Sequence, residues 1–303
     1  MIRTILKDIP KEELGKTMCH EHFIIDLDRV RHDGVSMIET VEEVVPEIEI
    51  MMELGVKSTV EVSTIDLGRD VNKLKEISLK TGLNIICSTG YYLSEYHPEC
   101  LNDMTADEIK DIYVKELTEG IDGTDIKAGI IAEIASSPNG FVKNEKKILE
   151  AAGLASKEVG CAVSTHTGRK NAMETIDILL STGMDSDKII IGHQDLIDDT
   201  EYHLSLLKRG VNIAFDTCGK TSYMPDETRA KNMLAIIKAG YGDHIMVSDD
   251  VSRRSYFVSN GGVGYLAAYK TVLPMLETLG ASKEDILKIT TLNPQRILDN
   301  NWK

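Results

Sequence analysis

The feature that most constrains the fold of this chain is a repeated alternation of short apolar runs with longer amphipathic segments. A strand followed by a helix, repeated many times, builds a parallel sheet covered by helices. The run Ile189-Ile190-Ile191 is apolar on both faces, as expected of a strand buried on both sides. Eight such runs predict strands near residues 18–23, 57–62, 84–88, 128–134, 162–166, 188–193, 211–215 and 244–247.

The segments between these runs carry apolar residues at helical spacing. Thr105 and Glu108 have the spacing of a capping box and predict the start of a helix. Gly261-Gly262-Val263-Gly264 is expected to open the last barrel helix, and Asn293-Pro294 to begin the final helix of a tail at residues 282–303. Further helices are predicted at residues 38–54, 71–80, 145–159, 172–181, 226–239 and 266–279.

Eight strand–helix units predict an α/β fold of the (β/α)8 TIM-barrel type. A doubly wound sheet usually has fewer strands and a Gly-rich phosphate loop after the first strand. The chain has no Gly-x-Gly-x-x-Gly at that place, and no Pro/Ser-rich linker divides its 303 residues. We therefore predict one domain, residues 1–303, in which a C-terminal helical extension follows the barrel.

The net charge, the apolar stretches and the cysteines indicate which kinds of partner and which cell compartment suit this chain. A formal net charge of −15 argues against general binding of nucleic acid or of anionic membrane, because both depend on Lys and Arg meeting phosphates. The sequence has no signal-peptide pattern and no apolar stretch of the roughly 20 residues that span a bilayer. The five cysteines lack Cys-x-x-Cys spacing, which suits reduced thiols in the core. These features predict a cytoplasmic protein.

Candidate metal ligands stand at the ends of the predicted strands. In an extended strand His20 and His22 point to the same side and Glu21 points away. The carboxyl ends of barrel strands form the active site, so residues there are expected to meet. Four further potential ligands stand where later apolar runs stop: Glu133, His166, His193 and Asp250.

These six residues are enough for two divalent ions. We expect His20, His22 and Asp250 on one ion, His166 and His193 on the other, and Glu133 bridging the two. Nitrogen and oxygen ligands without thiolate suit zinc, manganese, iron or cobalt, and zinc is the first choice.

Several short motifs along the chain accompany these ligands. They lie at residues 15–22, 87–92, 128–134, 164–167, 192–195, 248–255 and 260–262. Over nearly its whole length the chain resembles the phosphotriesterase family of the amidohydrolase superfamily, and most closely its branch of phosphotriesterase homology proteins. The resemblance implies a barrel with a binuclear metal centre held by the same six residues, Asp250 being the strand-eight aspartate.

The sequence departs from the phosphotriesterases and lactonases proper at two points. Those enzymes bridge their metals with a carboxylated lysine, where this chain offers Glu133, as in the homology-protein branch. Many of them also have a histidine after the strand-seven aspartate, where this chain has Asp216-Thr217. Both departures argue against efficient hydrolysis of organophosphates.

The predicted chemistry is hydrolysis by a hydroxide that bridges the two metals. Two divalent ions lower the pKa of a shared water toward roughly 7, and Asp250 is expected to act as general base and to return the proton to the leaving group. The scissile group stays open among lactone, ester, amide and phosphoester.

The substrate is expected to be a small molecule carrying a carboxylate or phosphate, because Lys220, Arg253 and Arg254 lie in the loops after strands seven and eight. Tyr91 and His97, in the loop after strand three, are further substrate-binding candidates. The alternative for each arginine is an ion pair with an acidic neighbour such as Asp249 or Asp216, and the alternative for His97 is a surface position in the loop. Asp249 either bonds a ligand histidine or faces away from the barrel axis. The oligomeric state stays open, with a homodimer as one alternative.

Two other functions compete with this prediction. A TatD-like metal-dependent nuclease or phosphoesterase uses a similar ligand set on the same barrel, but the acidic composition and Ser252-Arg253-Arg254-Ser255 favour the phosphotriesterase resemblance. A non-catalytic metal-binding regulatory protein is the other alternative, and the presence of all six proposed ligands argues against it.

Overall fold

The computed structural model describes residues 1–302 and contains eight parallel strands in one sheet. This confirms the predicted (β/α)8 barrel. The barrel strands, labelled in chain order, are β1 Lys16–Glu21, β2 Val56–Glu61, β3 Asn84–Thr89, β4 Ile130–Ala135, β5 Val163–His166, β6 Ile189–Ile191, β7 Asn212–Phe215 and β8 Ile245–Val247. Two short antiparallel ribbons pair Ile2–Arg3 with Asp8–Ile9 and Ile25–Asp26 with Met37–Ile38.

The strands follow chain order around the barrel, and side chains bridge the seam between β8 and β1. The backbone N–H of His20 donates to Ser248 Oγ at 3.0 Å. Ser248 Oγ in turn donates to Glu21 Oε1 at 2.7 Å. The seam therefore joins β1, which carries His20 and is followed directly by His22, to the loop that carries Asp250.

The helices largely follow the predicted pattern. The predicted capping box begins α4, with the Glu108 N–H donating to Thr105 Oγ1 at 3.2 Å. The helices are α1 Asp28–Arg31, α2 Val41–Met52, α3 Val71–Thr81, α4 Ala106–Thr118, α5 Glu145–Val159, α6 Ala172–Ser181, α7 Thr200–Leu207, α8 Asp226–Lys238, α9 Leu273–Thr278, α10 Lys283–Leu287 and α11 Asn293–Leu298.

Two stretches differ from the prediction. The sequence pattern did not identify α7, whose eight residues are too few for a clear helical period. The helix predicted at 266–279 consists of a π-helical segment Ala268–Val272 followed by α9. A second π-helical segment, Lys288–Leu292, precedes α11. Within residues 1–302, no helix is both long enough and apolar enough to cross a bilayer.

Two apolar clusters support the barrel. The larger one lies between the sheet and the helices, where alternate strand residues such as Ile189 and Ile191 pack. The smaller one contains the intervening strand residues, among them Cys19, Ile190 and Met246. Ile297 of the C-terminal extension belongs to this inner cluster, so the tail packs against the interior residues of the barrel. The active site of such a barrel lies at the carboxyl ends of the strands.

Candidate metal centre

The six predicted ligands come together at the carboxyl ends of the strands, around the carboxylate of Glu133. Glu133 Oε1 lies 2.6 Å from His166 Nδ1 and 3.3 Å from Nε2 of both His20 and His193. Its other oxygen, Oε2, lies 3.6 Å from His22 Nε2. The Glu133 side chain is only 3% exposed. One buried carboxylate thus faces four imidazoles.

Asp250 completes the cluster from the opposite side. Its Oδ1 lies 3.4 Å from His22 Nε2 and 3.8 Å from His20 Nε2. Its Oδ2 forms an ion pair with the ammonium group of Lys220. Asp250 therefore contacts both the histidines of β1 and a cation from the loop after β7.

Local irregularities of the backbone aim these side chains. The pairing register of β1 with β2 shifts between Met18 and Glu21, and that of β4 with β5 shifts between Ile131 and Ile134. Such irregularities turn a side chain away from the strict alternation of a strand. They lie where His20 and Glu133 enter the cluster.

The backbones of His193 and Asp250 are also unusual, because both have the left-handed conformation, with φ of 59° and 50°. That conformation costs roughly 1–2 kcal/mol for a residue other than glycine. Strain held by residues that converge on one point is typical of a functional site.

The unpaired atoms of the cluster fit a divalent cation. Both ring nitrogens of His20 are buried without a well-aligned hydrogen bond, and His166 Nδ1 lies 2.6 Å from His193 Nε2. Imidazole and carboxylate lone pairs that face one another this closely need a proton or a cation between them. Three overlapping groups have ligand atoms within 4.8 Å of one another: His20, His193 and Asp250; His20, His22 and Glu133; and Glu133, His166 and His193.

Acceptors behind three of the four histidines, His20, His22 and His193, turn their Nε2 atoms toward the cluster. His193 Nδ1 donates to Asp216 Oδ1 at 2.9 Å, and His20 Nδ1 lies 3.2 Å from Asp216 Oδ2. His22 Nδ1 lies 2.9 Å from Ser63 Oγ, which donates to Glu61 Oε1 at 2.6 Å. Acceptors placed in this way fix the tautomer and orientation of metal-binding histidines.

Neither acidic member of this supporting set was predicted as a site residue. Asp216 stands just after the last residue of β7, and residues at the carboxyl ends of barrel strands are the expected active-site residues. Glu61, the last residue of β2, satisfies the same rule.

The acidic neighbours Glu21 and Asp249 face away from the cluster. Glu21 accepts hydrogen bonds from the backbone N–H groups of Asp249 and Val251 at 2.7 and 2.8 Å. Asp249 accepts from the backbone N–H groups of Ala267 and Ala268 at 2.9 and 2.8 Å. The outward orientation predicted for Glu21 is therefore present. Of the two alternatives for Asp249, the structure has the one in which it faces away from the barrel axis.

The electrostatics of the cluster favour positive charge. Burial alone would lower the pKa of His193, but the Asp216 carboxylate raises it to about 10. Burial likewise would raise the pKa of Glu133, yet the charges of His20 and His166 hold it well below its ordinary value. Burial also opposes ionisation of Asp250, and Lys220 more than offsets that effect and lowers the pKa of its carboxyl. These carboxylates remain ionised and attract cations.

A cavity of about 150 Å³ opens over the cluster, and cationic and phenolic groups line it. Lys220 and Arg253, both predicted as substrate-binding residues, lie in its wall. Arg31 on α1 is a third cation there that was not predicted. Three tyrosines that were also not predicted complete this part of the wall: Tyr92, Tyr223 and Tyr256.

The other three predicted substrate-binding residues do not line this cavity, and their role in binding stays a prediction. Tyr91 is buried, with its ring centroid 5.9 Å from that of Tyr113, whereas its neighbour Tyr92 reaches the cavity. His97 Nε2 donates to the Tyr92 carbonyl oxygen at 2.8 Å and holds the loop. Arg254 Nε donates to Glu43 Oε2 at 2.7 Å, so its charge is engaged by α2.

The cysteines supply no thiolate to the cluster. Burial raises the pKa of Cys161 to about 12 and that of Cys19 well above its ordinary value. A buried thiol of this kind behaves as a small apolar side chain.

A (β/α)8 barrel whose strand ends gather four histidines and two carboxylates defines a metal-dependent hydrolase. The comparisons agree, since a model of the Phosphotriesterase family matches residues 1–298. The chain belongs to the phosphotriesterase family, which confirms the resemblance read from the sequence and favours it over the TatD-like alternative.

Relatives along the whole chain support the same assignment. The phosphotriesterase homology protein of Escherichia coli (strain K12) is 34% identical over 283 residues, which cover 93% of this chain and 97% of the relative. A crystal structure of the E. coli protein, complexed with phosphate in its active site, has a TM-score of 0.92 at 33% identity and covers 95% of this chain and 99% of its own.

Two further relatives carry different activity names. N-acetyltaurine hydrolase of Xenopus tropicalis is 30% identical over an alignment of 341 residues, gaps included. The alignment covers 98% of this chain and 97% of the relative. The crystal structure of a lactonase from Listeria monocytogenes has a TM-score of 0.94 at 27% identity and covers 99% of both chains. The family is thus shared by hydrolases of different substrates.

Proposed function

We propose that this chain is a binuclear metal hydrolase that cleaves a small anionic ester, lactone or amide. One observation carries the proposal: Glu133 belongs to two of the three ligand groups, with Oε1 toward His20, His166 and His193 and Oε2 toward His22. A carboxylate placed between two sets of imidazoles suits a bridge between two ions.

The six residues would be divided between the two ions. His20, His22 and Asp250 would hold one ion and His166 and His193 the other, with Glu133 shared. Nitrogen and oxygen donors without a thiolate suit zinc, with manganese, iron or cobalt as alternatives. When bound, such a pair of ions polarises the scissile group and makes water a stronger nucleophile at neutral pH.

Asp250 is the residue best placed to move the proton. It is ionised, it borders the cavity, and its carboxylate lies between the histidines of β1 and Lys220. In the proposed reaction Asp250 takes a proton from the attacking water and passes it to the leaving oxygen or nitrogen. Water thus supplies hydroxyl to the acyl carbon and hydrogen to the leaving group as the scissile bond breaks.

The cations of the cavity support an anionic substrate. Lys220 is engaged by Asp250, and Arg253 Nη1 lies 3.6 Å from Asp33 Oδ2, whereas Arg31 has no carboxylate within 4.0 Å among residues 1–302. The E. coli relative holds phosphate in its active site, and another relative is named for hydrolysis of N-acetyltaurine. Both of those molecules are anions, and we infer that Arg31 and Arg253 recognise a carboxylate, phosphate or similar group here.

A hydrolysis screen tests this function. The purified protein, treated with chelator and then reconstituted with zinc, is assayed against lactones, carboxylic esters, N-acyl amino acids and phosphoesters. We expect turnover of an anionic ester, lactone or amide that disappears with the chelator and returns with zinc. Turnover that survives complete metal removal, or release of nucleotides from DNA as the main activity, would overturn the proposal.

A further inference from the structure

A second and larger cavity lies beside the candidate metal centre. Its volume is about 540 Å³, within the roughly 300–1,000 Å³ typical of ligand pockets. The loops after β4, β5 and β6 form its wall, with Pro138, Leu196 and Ile197 as its apolar side chains. We call it the apolar arm, and the 150 Å³ cavity that holds Arg31 and Arg253 the cationic arm.

The two arms share a wall at the candidate metal centre. His166, His193 and Leu196 line both cavities. A molecule that lies across these histidines therefore has one end in each arm. The two ends meet different chemistry, because the cationic arm presents guanidinium groups and the apolar arm presents mainly aliphatic surface.

The two charged side chains of the apolar arm, Arg169 and Asp198, have partners outside it, and the hydroxyl of Ser136 is buried without a partner. Arg169 Nη2 donates to Asp199 Oδ2 at 2.6 Å, and its guanidinium lies 4.8 Å from the Tyr202 ring centroid. Asp198 Oδ1 accepts from Asn232 Nδ2 at 3.0 Å. Pro138, Leu196 and Ile197 supply the apolar part of the wall, and this part suits a hydrocarbon chain.

We propose that the apolar arm binds the acyl chain of the substrate, and that the substrate is an acylated anion with a chain of several carbons. This inference rests on the proposed function and specifies its substrate class. The anionic leaving portion lies in the cationic arm, and the scissile carbonyl lies at the histidines between the arms. Hydrolysis breaks the acyl C–O or C–N bond, so that a carboxylate with its alkyl chain remains in the apolar arm.

Gly168 offers a direct way to fill this arm. It lines the cavity, its φ is outside the left-handed region, and a Cβ built on it meets no heavy atom within 4 Å. Gly168→Leu therefore adds an apolar side chain to the cavity without a steric clash at Cβ. Gly168→Ala is the matched control, because it alters the backbone entropy in the same way and fills little space.

Binding of straight-chain carboxylates, the expected acyl products, tests the inference without turnover. Isothermal titration of the purified, zinc-reconstituted protein compares acetate, butyrate, hexanoate and octanoate. We expect the wild type to bind about fourfold more tightly for each added methylene, or about 200-fold from acetate to hexanoate. Gly168→Leu should reduce that ratio to less than about 10-fold, while Gly168→Ala keeps most of it.

A second variant tests the same cavity independently, in case Gly168→Leu does not fold. Ile197→Thr places a hydroxyl in the same apolar wall and should also lower the hexanoate-to-acetate ratio, after thermal melts confirm the fold. A wild-type ratio near one, or an unchanged ratio in both Gly168→Leu and Ile197→Thr, would overturn the inference. Failure of the proposed function would appear separately, as a protein that hydrolyses none of the screened compounds.

Discussion

Glu21 Oε2 accepts a hydrogen bond from the backbone N–H of Val251 at 2.8 Å and ties the first barrel strand to the loop after the last. The Glu21 carboxylate also accepts from Ser248 Oγ and from the Asp249 N–H, both at 2.7 Å. His20 directly precedes Glu21, and Asp250 lies between Asp249 and Val251. One buried carboxylate therefore positions candidate ligands that lie more than two hundred residues apart in the chain.

Glu21→Gln tests this connection. The amide can accept fewer of these hydrogen bonds, and its NH₂ group meets N–H donors inside the barrel. A buried donor left unsatisfied costs about 1–3 kcal/mol, so the free energy of unfolding should fall by about that amount. Chemical denaturation gives the value. Glu12→Gln, at an exposed carboxylate, is the control, and equal stability of the two variants would contradict the role of Glu21.

Asp216→Asn tests the orientation of two histidines. Asp216 accepts from His193 Nδ1 and lies 3.2 Å from His20 Nδ1, so the amide should weaken both orientations. Loss of such a supporting carboxylate typically costs 10- to 100-fold in metal affinity. Competition titration with a zinc indicator measures the change, and Asp103→Asn, at an exposed site, serves as control. Unchanged zinc affinity in Asp216→Asn would show that this carboxylate is only structural.

Asp250→Asn tests the proton transfer. An amide cannot accept the proton of water, and a positioned general base contributes roughly 10²- to 10⁴-fold in rate. We expect kcat to fall by about that factor while KM changes much less. The metal content of the variant must first match that of the wild type. A fully loaded variant with wild-type kcat would remove Asp250 from this role.

Arg31→Gln and Arg253→Gln test recognition of the anion. A hydrogen bond to a charged partner contributes about 1.5–3 kcal/mol, so each variant should lower kcat/KM for an anionic substrate by roughly 10- to 150-fold. The neutral analogue of the substrate should be affected much less. Arg254→Gln is a close control, because Arg254 is bound by Glu43 outside the cavity. Equal losses on both substrates would make the two arginines structural.

Much of this site was predictable because it follows from strand ends. Glu133, His166, His193 and Asp250 each stand where an apolar run stops, and parallel strands bring such positions to one rim. Asp216, one residue past β7, satisfies the same rule, although it was not among the predicted site residues. The ligand set and the barrel therefore came from periodicity and position, and the single-domain assignment and the homodimer stay predictions.

The substrate-binding residues were less predictable because they lie on loops, where neighbouring side chains diverge without a fixed period. Arg253 lines the cavity while Arg254 turns to Glu43, and Tyr92 lines the cavity while Tyr91 packs on Tyr113. Arg31 lies on a four-residue helix that the pattern does not mark. Only the folded loops decide which of two adjacent side chains reaches the site.

The metal content of Glu133→Ala tests the central claim most directly. Elemental analysis of protein reconstituted with zinc is compared for wild type, Glu133→Ala and the exposed control Glu119→Ala. We expect about two ions per chain in wild type and control, because the ligands suffice for two sites that share one carboxylate. Glu133→Ala should retain no more than one and lose hydrolysis. A wild-type chain that never exceeds one ion, or a Glu133→Ala chain that still holds two, would contradict a centre bridged by Glu133.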